Sequence, residues 1–235
     1  MLFDIKYWKN KTNLKEFNNI KKEVLRLVNL KKNNKKLYDF NFLYQDKQSL
    51  KKNISKVHRL FPDYDNFILI GTGGSSLGSK AILDASSKNN IIFLENIDPN
   101  YILKKVSKIK KKKILLLIIS KSGETIEVLS LYQIIINNFS NLFNFKKDVL
   151  VITEKKNSHL YRICREKNFK FLEHDSKIGG RFSCFSETGL MPLKLAGLNT
   201  SYIKDLSDKT FHQIINNNKY LFSDNVSSLF NIIKK

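Results

Sequence analysis

The sequence predicts an α/β fold: a doubly wound, parallel, five-stranded sheet with helical additions at both ends. Three observations predict it. Short apolar runs alternate with stretches of helical spacing from Asp63 to Leu172, a βαβ pattern that calls for right-handed crossovers and a parallel sheet. The run Ile114–Ile119 is apolar at every position, as a parallel strand covered on both faces should be. Two of the runs lead straight into small-residue loops, Gly71-Thr72-Gly73-Gly74-Ser75-Ser76 and Ser120-Lys121-Ser122-Gly123-Glu124-Thr125. Each loop opens into a helix.

Taken in order, the chain begins with an amphipathic helix over about Asn13 to Leu30. Leu14, Phe17, Ile20, Val24, Leu27 and Val28 recur there at helical spacing, with lysines between them. The Lys/Asn-rich stretch Lys31 to Lys36 reads as a solvated turn. A weaker helix covers Asp46 to Leu60 and contains His58, read as an ordinary packed or exposed histidine. Phe61-Pro62-Asp63 breaks the pattern and begins the core. Strands follow at Phe67–Ile70, Ile91–Leu94, Ile114–Ile119, Val149–Ile152 and Phe169–Leu172. Helices are expected at Leu77–Ser87, from the Asp98-Pro99 start to about Ile109, at Thr125–Asn137 and at Asn157–Lys167. Gly179-Gly180-Arg181 is a turn, and Ser186 is expected to cap a helix over Glu187–Leu195. Two more helices are expected near Ser201–Asn216 and Ser223–Ile233. The expected division is an N-terminal helical segment (1–60), a ligand-binding α/β domain (61–180) and a helical segment (181–235).

Composition narrows the function. Of 235 residues, 42% are hydrophobic, enough for a core. The net charge of +21 raises the question of a nucleic-acid partner. Abundant Lys, Asn and Ile point instead to A/T-rich codons, and the few arginines (Arg26, Arg59, Arg162, Arg165 and Arg181) argue against a nucleic-acid surface. Cys164 and Cys184 form no C-x-x-C, and are expected to be reduced and inert. No apolar run approaches the roughly 20 residues of a membrane span, and Met1 to Asn10 has no signal-peptide core. The expectation is a soluble, cytoplasmic protein with neither a nucleic-acid nor a membrane partner.

If the strand order is 2-1-3-4-5, the sheet reverses between its first and third strands. Ligands bind in the crevice at such a switch point, outside the carboxyl ends of the strands. Both small-residue loops would open there, backed by helix N-termini that favour an anion. Ser75, Ser120, Ser122 and Thr125 offer hydroxyls, with Ser76 beside them. Gly73, Gly74 and Gly123 let backbone approach, and Lys121 either adds charge or points to solvent. This set suits a phosphate monoester held without a metal or cofactor. Serines and glycines after strands also occur as plain turn formers; two such loops at one crevice favour the phosphate.

A dinucleotide site is the sharp alternative, since Gly71 and Gly73 start a G-x-G and Glu95 ends the second strand. Ser76 stands where the third glycine should be, and the second loop has no place in that scheme. No G-K-[S/T] follows the first loop, so it is not a P-loop, and His174-Asp175 is too little for a metal site. Ser120 or Ser122 as a nucleophile would need a positioned base, and none is evident. Arg181, held close to backbone after two glycines, can aim its fork at developing negative charge; a structural salt bridge is the plainer reading.

Four motifs, G-T-G-G-S-S-L-G-S from Gly71, E-N-I-D-P from Glu95, I-S-K-S-G-E-T-I-E from Ile119 and G-G-R-F-S from Gly179, resemble the glucose-6-phosphate isomerase family in order and spacing. The resemblance covers about Asp63 to Leu198. It implies a flavodoxin-like sugar isomerase (SIS) domain and a hexose 6-phosphate substrate. Interconversion of glucose 6-phosphate and fructose 6-phosphate would serve glycolysis and gluconeogenesis, with a homodimer as the complete enzyme. It also implies that Ser75, Ser120, Ser122 and Thr125 hold the phosphate, while Arg181 stabilises a cis-enediolate. In the family the glutamate base, the ring-opening histidine and a late lysine lie downstream of the G-G-R motif. His58, His159, His174 and His212 match none of those positions. Glu127 and Glu187 read as structural or surface carboxylates, so no catalytic base is assigned. The expectation is the N-terminal part of a longer enzyme, poor at binding phosphate and inactive alone. A non-catalytic sugar-phosphate-binding module is the alternative, since it needs only the two loops.

Overall fold

The computed structural model describes residues 45–107, 109 and 113–216, together with 22 and 26. The helices expected over Asn13–Leu30 and Ser223–Ile233 and the turn at Lys31 to Lys36 lie outside the described residues, apart from Lys22 and Arg26, which are helical.

Five strands form the sheet: β1 (Asn66–Ile70), β2 (Ile91–Leu94), β3 (Ile114–Ile119), β4 (Val149–Thr153) and β5 (Lys170–Glu173). All neighbours pair in parallel, in the order β2-β1-β3-β4-β5. The order is the expected one, and it places the reversal between β1 and β3. Seven α-helices occur among the described residues: α1 (Lys47–His58), α2 (Leu77–Asp84), α3 (Pro99–Val106), α4 (Ile126–Asn138), α5 (His159–Glu166), α6 (Glu187–Leu195) and α7 (Thr200–Asn216).

Side chains on a strand alternate between faces, so β3 feeds two cores. Leu115, Leu117 and Ile119 pack with Leu50, Ile54 and Val57 of α1, Leu83 of α2 and Leu190, Met191, Leu193 and Leu195 of α6. Leu116 and Ile118 pack on the other side with Ile102 of α3, Val128, Leu131 and Ile135 of α4 and Leu160 of α5. Every residue of β3 is buried, which explains the unbroken apolar run. Full burial of each such side chain stabilises the fold by about 1.5–3 kcal/mol.

Helix starts follow local chemistry. Asp46 accepts from the N–H groups of Gln48 and Ser49 at 3.1 Å each and caps α1. Asp98 accepts from Tyr101 N–H at 2.7 Å, with Pro99 at the first position of α3. Ser158 caps α5 through Tyr161 N–H at 3.4 Å. Ser186 occupies the cap position of α6, but its hydroxyl turns back to donate to Ser183 O at 2.8 Å. The expected side-chain cap is therefore replaced by a bond that closes the preceding turn.

The chain divides into two compact units. Asp39–Ile203 is one and contains the whole sheet. The other, Met1–Tyr38 with Lys204–Lys235, is represented by Lys22, Arg26 and the later part of α7. Among the described residues no helix is long and apolar enough to cross a membrane. Cys164 is buried and Cys184 half-buried, both free thiols; burial pushes the Cys164 pKa up to about 11, which keeps it an unreactive thiol.

Candidate functional site

The two small-residue loops leave the same ends of neighbouring strands, since β1 and β3 pair with Ile70 opposite Ile118. Paired strands lie about 4.8 Å apart, so both loops rise from one edge of the sheet at its point of reversal. Gly71 marks how close they run. A Cβ there would lie 3.3 Å from Ile119 O and 3.3 Å from Ser75 Cβ.

The first loop curls into a 3₁₀ turn over Gly73–Ser75, with Gly73 at φ 55°. Ser75 is half-buried. Ser76 is fully buried, and its hydroxyl donates to Glu95 Oε1 at 2.6 Å. Glu95 also takes an ion pair from Lys80 of α2, and that bond holds the Lys80 pKa up. Ser76 thus anchors the loop to the end of β2, with its hydroxyl spent on that bond. The carboxylate that a dinucleotide would need for its ribose is likewise already engaged.

The second loop is built around Ser120, which is 1% exposed. Its hydroxyl accepts from Gly123 N–H at 3.1 Å and shares a proton with the Thr125 hydroxyl at 2.9 Å. Gly123 sits at φ +68°, and a Cβ there would lie 2.2 Å from Ser158 Oγ; only glycine fits. Ser122 accepts from Glu124 N–H at 3.1 Å. The N-terminus of α4 follows, with Thr125 as its capping residue.

Lys121 is ion-paired within the protein, to a partner that its local sequence does not show. Its Nζ lies 3.6 Å from Glu154 Oε1, and Glu154 also pairs with Lys156 at 2.8 Å. Glu154 is 7% exposed and was not a candidate from sequence, because its partner lies on another loop. Thr153 Oγ1 and Glu154 N–H both donate to Lys121 O, at 3.3 and 3.1 Å. The end of β4 therefore fixes both the backbone and the charge of Lys121.

The third part is the G-G-R-F-S segment, a 3₁₀ turn over Gly180–Phe185. It docks on the first loop. A Cβ on Gly74 would lie 2.0 Å from Gly180 O and 3.2 Å from Arg181 N. The Ser183 hydroxyl reaches both Gly74 O at 2.9 Å and Gly180 O at 2.7 Å. The Arg181 side chain is exposed, its guanidinium 6.0 Å from the Phe182 ring. Among the described residues no group of three His, Cys, Asp or Glu could hold a metal ion.

The phosphoglucose isomerase family model matches residues 53–204. The chain belongs to the phosphoglucose isomerase family. Its curated relatives include glucose-6-phosphate isomerases of Campylobacter jejuni, 34% identical over 66% of this chain and 39% of that protein, and of Methanocaldococcus jannaschii, 37% identical over 60% and 35%. The chain thus spans about two fifths of the length of the curated relatives it matches. Two solved structures share the fold. A hypothetical protein from Thermus thermophilus superposes with a TM-score of 0.73 at 23% identity, covering 94% of this chain and 54% of that one. A glucose-6-phosphate isomerase from Chlamydia trachomatis gives 0.56 at 23% identity, over 68% and 34%.

Within this phosphoglucose isomerase fold the remaining acids and histidines fall in distinct places. Glu127 is exposed on the first turn of α4. Glu187, read from sequence as structural or surface, is 5% exposed and therefore no surface group. His159 is exposed and bonds Glu124, while His174 is buried near Glu187.

Proposed function

We propose that this chain carries the phosphate-binding part of a site that interconverts glucose 6-phosphate and fructose 6-phosphate. The observation that supports this most is the seating of the arginine turn on Gly74, because it joins two motifs far apart in sequence at one end of the sheet. In this reading Ser75, Ser122 and Thr125 face the phosphoryl group, and Ser120, buried beneath them, turns its hydroxyl to it from its bond to Thr125. Gly73, Gly74 and Gly123 let loop backbone approach it, with Ser76 bracing the first loop from behind. Lys121, held by Glu154, adds positive charge at the rim. Helix N-termini behind both loops favour the dianion.

Arg181 has the catalytic role. Isomerisation moves a proton between the two carbons next to the carbonyl, through a cis-enediolate whose oxygens carry negative charge. A guanidinium beside those oxygens stabilises that charge more than it stabilises the ground state, which is the condition for lowering the barrier. The carboxylate that carries the proton is assigned to no residue of this chain. As in the relatives' names, the substrate is a hexose 6-phosphate, and the complete enzyme is expected to work as a homodimer.

Calorimetric titration of the full chain tests the reading. Glucose 6-phosphate and fructose 6-phosphate should bind, though weakly, and unphosphorylated glucose should not. Ser120→Ala should weaken binding by about 10-fold or more, and should cost about 0.5–1.5 kcal/mol of stability by removing the partner of the Thr125 hydroxyl and one of the two acceptors of Gly123 N–H. Equal affinity for sugar and sugar phosphate, or tight binding of NAD instead, would remove the proposal.

A further inference from the structure

A second polar cluster sits under the arginine turn. His174 follows β5 and is 1% exposed. Its Nε2 lies 3.1 Å from Ile178 O. A carbonyl only accepts, so Nε2 carries the ring proton and Nδ1 is bare in the neutral imidazole. Nδ1 is fully buried and has no hydrogen-bond partner among the described residues. It faces Glu187 Oε2 at 3.9 Å, about 1 Å longer than a hydrogen bond. Glu187 opens α6, and Gln45 Nε2 donates to both of its carboxylate oxygens at 3.0 Å.

The nitrogen is a buried acceptor left unsatisfied, and the carboxylate facing it is a buried charge held by neutral donors such as Gln45. One proton between them relieves both costs. We propose that Glu187 and His174 share a single proton, Glu187 Oε2–H donating to His174 Nδ1, and that this pair is the positioning device for the turn that carries Arg181.

The connectivity explains the second half. His174 holds Ile178, the residue just before Gly179-Gly180-Arg181. Glu187 begins directly after Ser186, which closes the turn through Ser183 O. The pair therefore fastens the base of the segment whose tip rests on Gly74. Burial pushes the Glu187 pKa up and the His174 pKa down, which favours the neutral acid beside the neutral ring. Asp175 is the charged neighbour of both groups, and Lys121 and Glu154 also act on His174. The signs are opposite: Glu187 gives up stability as pH rises through its raised value, and His174 as pH falls through its lowered one. Between those steps the pair holds one proton. Above the upper step that proton goes to solvent and the carboxylate faces the ring lone pair.

The proton-sharing half stands without any substrate, whereas the consequence for catalysis rests on the role given to Arg181 above. The test is accordingly made on the ligand-free full chain, isotope-labelled in the backbone and in histidine, from about pH 5 to about pH 9. The His174 ring should show Nε2 protonated and Nδ1 as an acceptor at neutral pH. The Gly180 and Arg181 amides should shift together with that ring in one step lying above the ordinary carboxylate range. Glu187→Gln, whose amide can donate to Nδ1 in place of the acid, should keep the tautomer and abolish the step. A His174 that titrates like an exposed imidazole overturns the proposal without any variant being needed. A step in the turn amides that survives Glu187→Gln overturns it as well. Failure of hexose 6-phosphates to bind would remove the role of Arg181 and leave the shared proton standing.

Discussion

Gly74→Ala is expected to separate the first loop from the arginine turn, lowering stability by about 1–3 kcal/mol and removing measurable hexose 6-phosphate binding. The added Cβ would lie 2.0 Å from Gly180 O, a backbone atom with no rotamer to escape into. Either the loop or the turn must move, and the Ser183 bonds to Gly74 O and Gly180 O break with it. Gly180→Ala is the matched control, because a Cβ there meets nothing within 4 Å. It should stay within about 0.5 kcal/mol of the parent and keep its ligand. Thermal melts and calorimetric titrations of the two variants make the comparison. Equal behaviour would mean that the contact does not organise the site.

Gly123→Ala should cost more, roughly 2–4 kcal/mol, since two penalties fall on one residue. The backbone is left-handed at φ +68°, which strains any residue with a Cβ. That Cβ would also lie 2.2 Å from Ser158 Oγ and 2.8 Å from Ser158 Cβ. Ser158 cannot step aside, because it is 1% exposed and caps α5. Moving Gly123 also pulls its N–H from Ser120 and its carbonyl from Leu160 N–H. Denaturant unfolding measures the loss. A cost near that of an ordinary surface change would contradict the tight seating of the second loop on the end of β4.

The sheet was legible because its strands are short, apolar and bounded by turn residues. Ile91–Leu94 and Ile114–Ile119 match their expected limits. Helix ends were less legible, because side chains and turns stop them from outside the apolar pattern. Helix α2 was expected to reach Ser87 and ends at Asp84, where Ser86 bonds back to Leu83 O through both N–H and hydroxyl. Helix α3 was expected to run to about Ile109 and ends at Val106. In the site, the loop glycines and hydroxyls could be read from local composition. The partners of Lys121 and Ser76 could not, since Glu154 and Glu95 arrive from other strand ends. The burial of Glu187 was equally hidden: its surroundings come from Gln45, far away in sequence, and from His174 across the turn.

The central claim is that one phosphoryl group is gripped by both loops at the reversal between β1 and β3. Structure determination with fructose 6-phosphate bound tests it most directly. Phosphoryl oxygens within hydrogen-bonding distance of both the Gly73–Ser75 turn and the Ser120–Thr125 loop, with the sugar extending toward Arg181, are the predicted result. A phosphate held by only one loop, or lodged away from the carboxyl ends of β1 and β3, would contradict it.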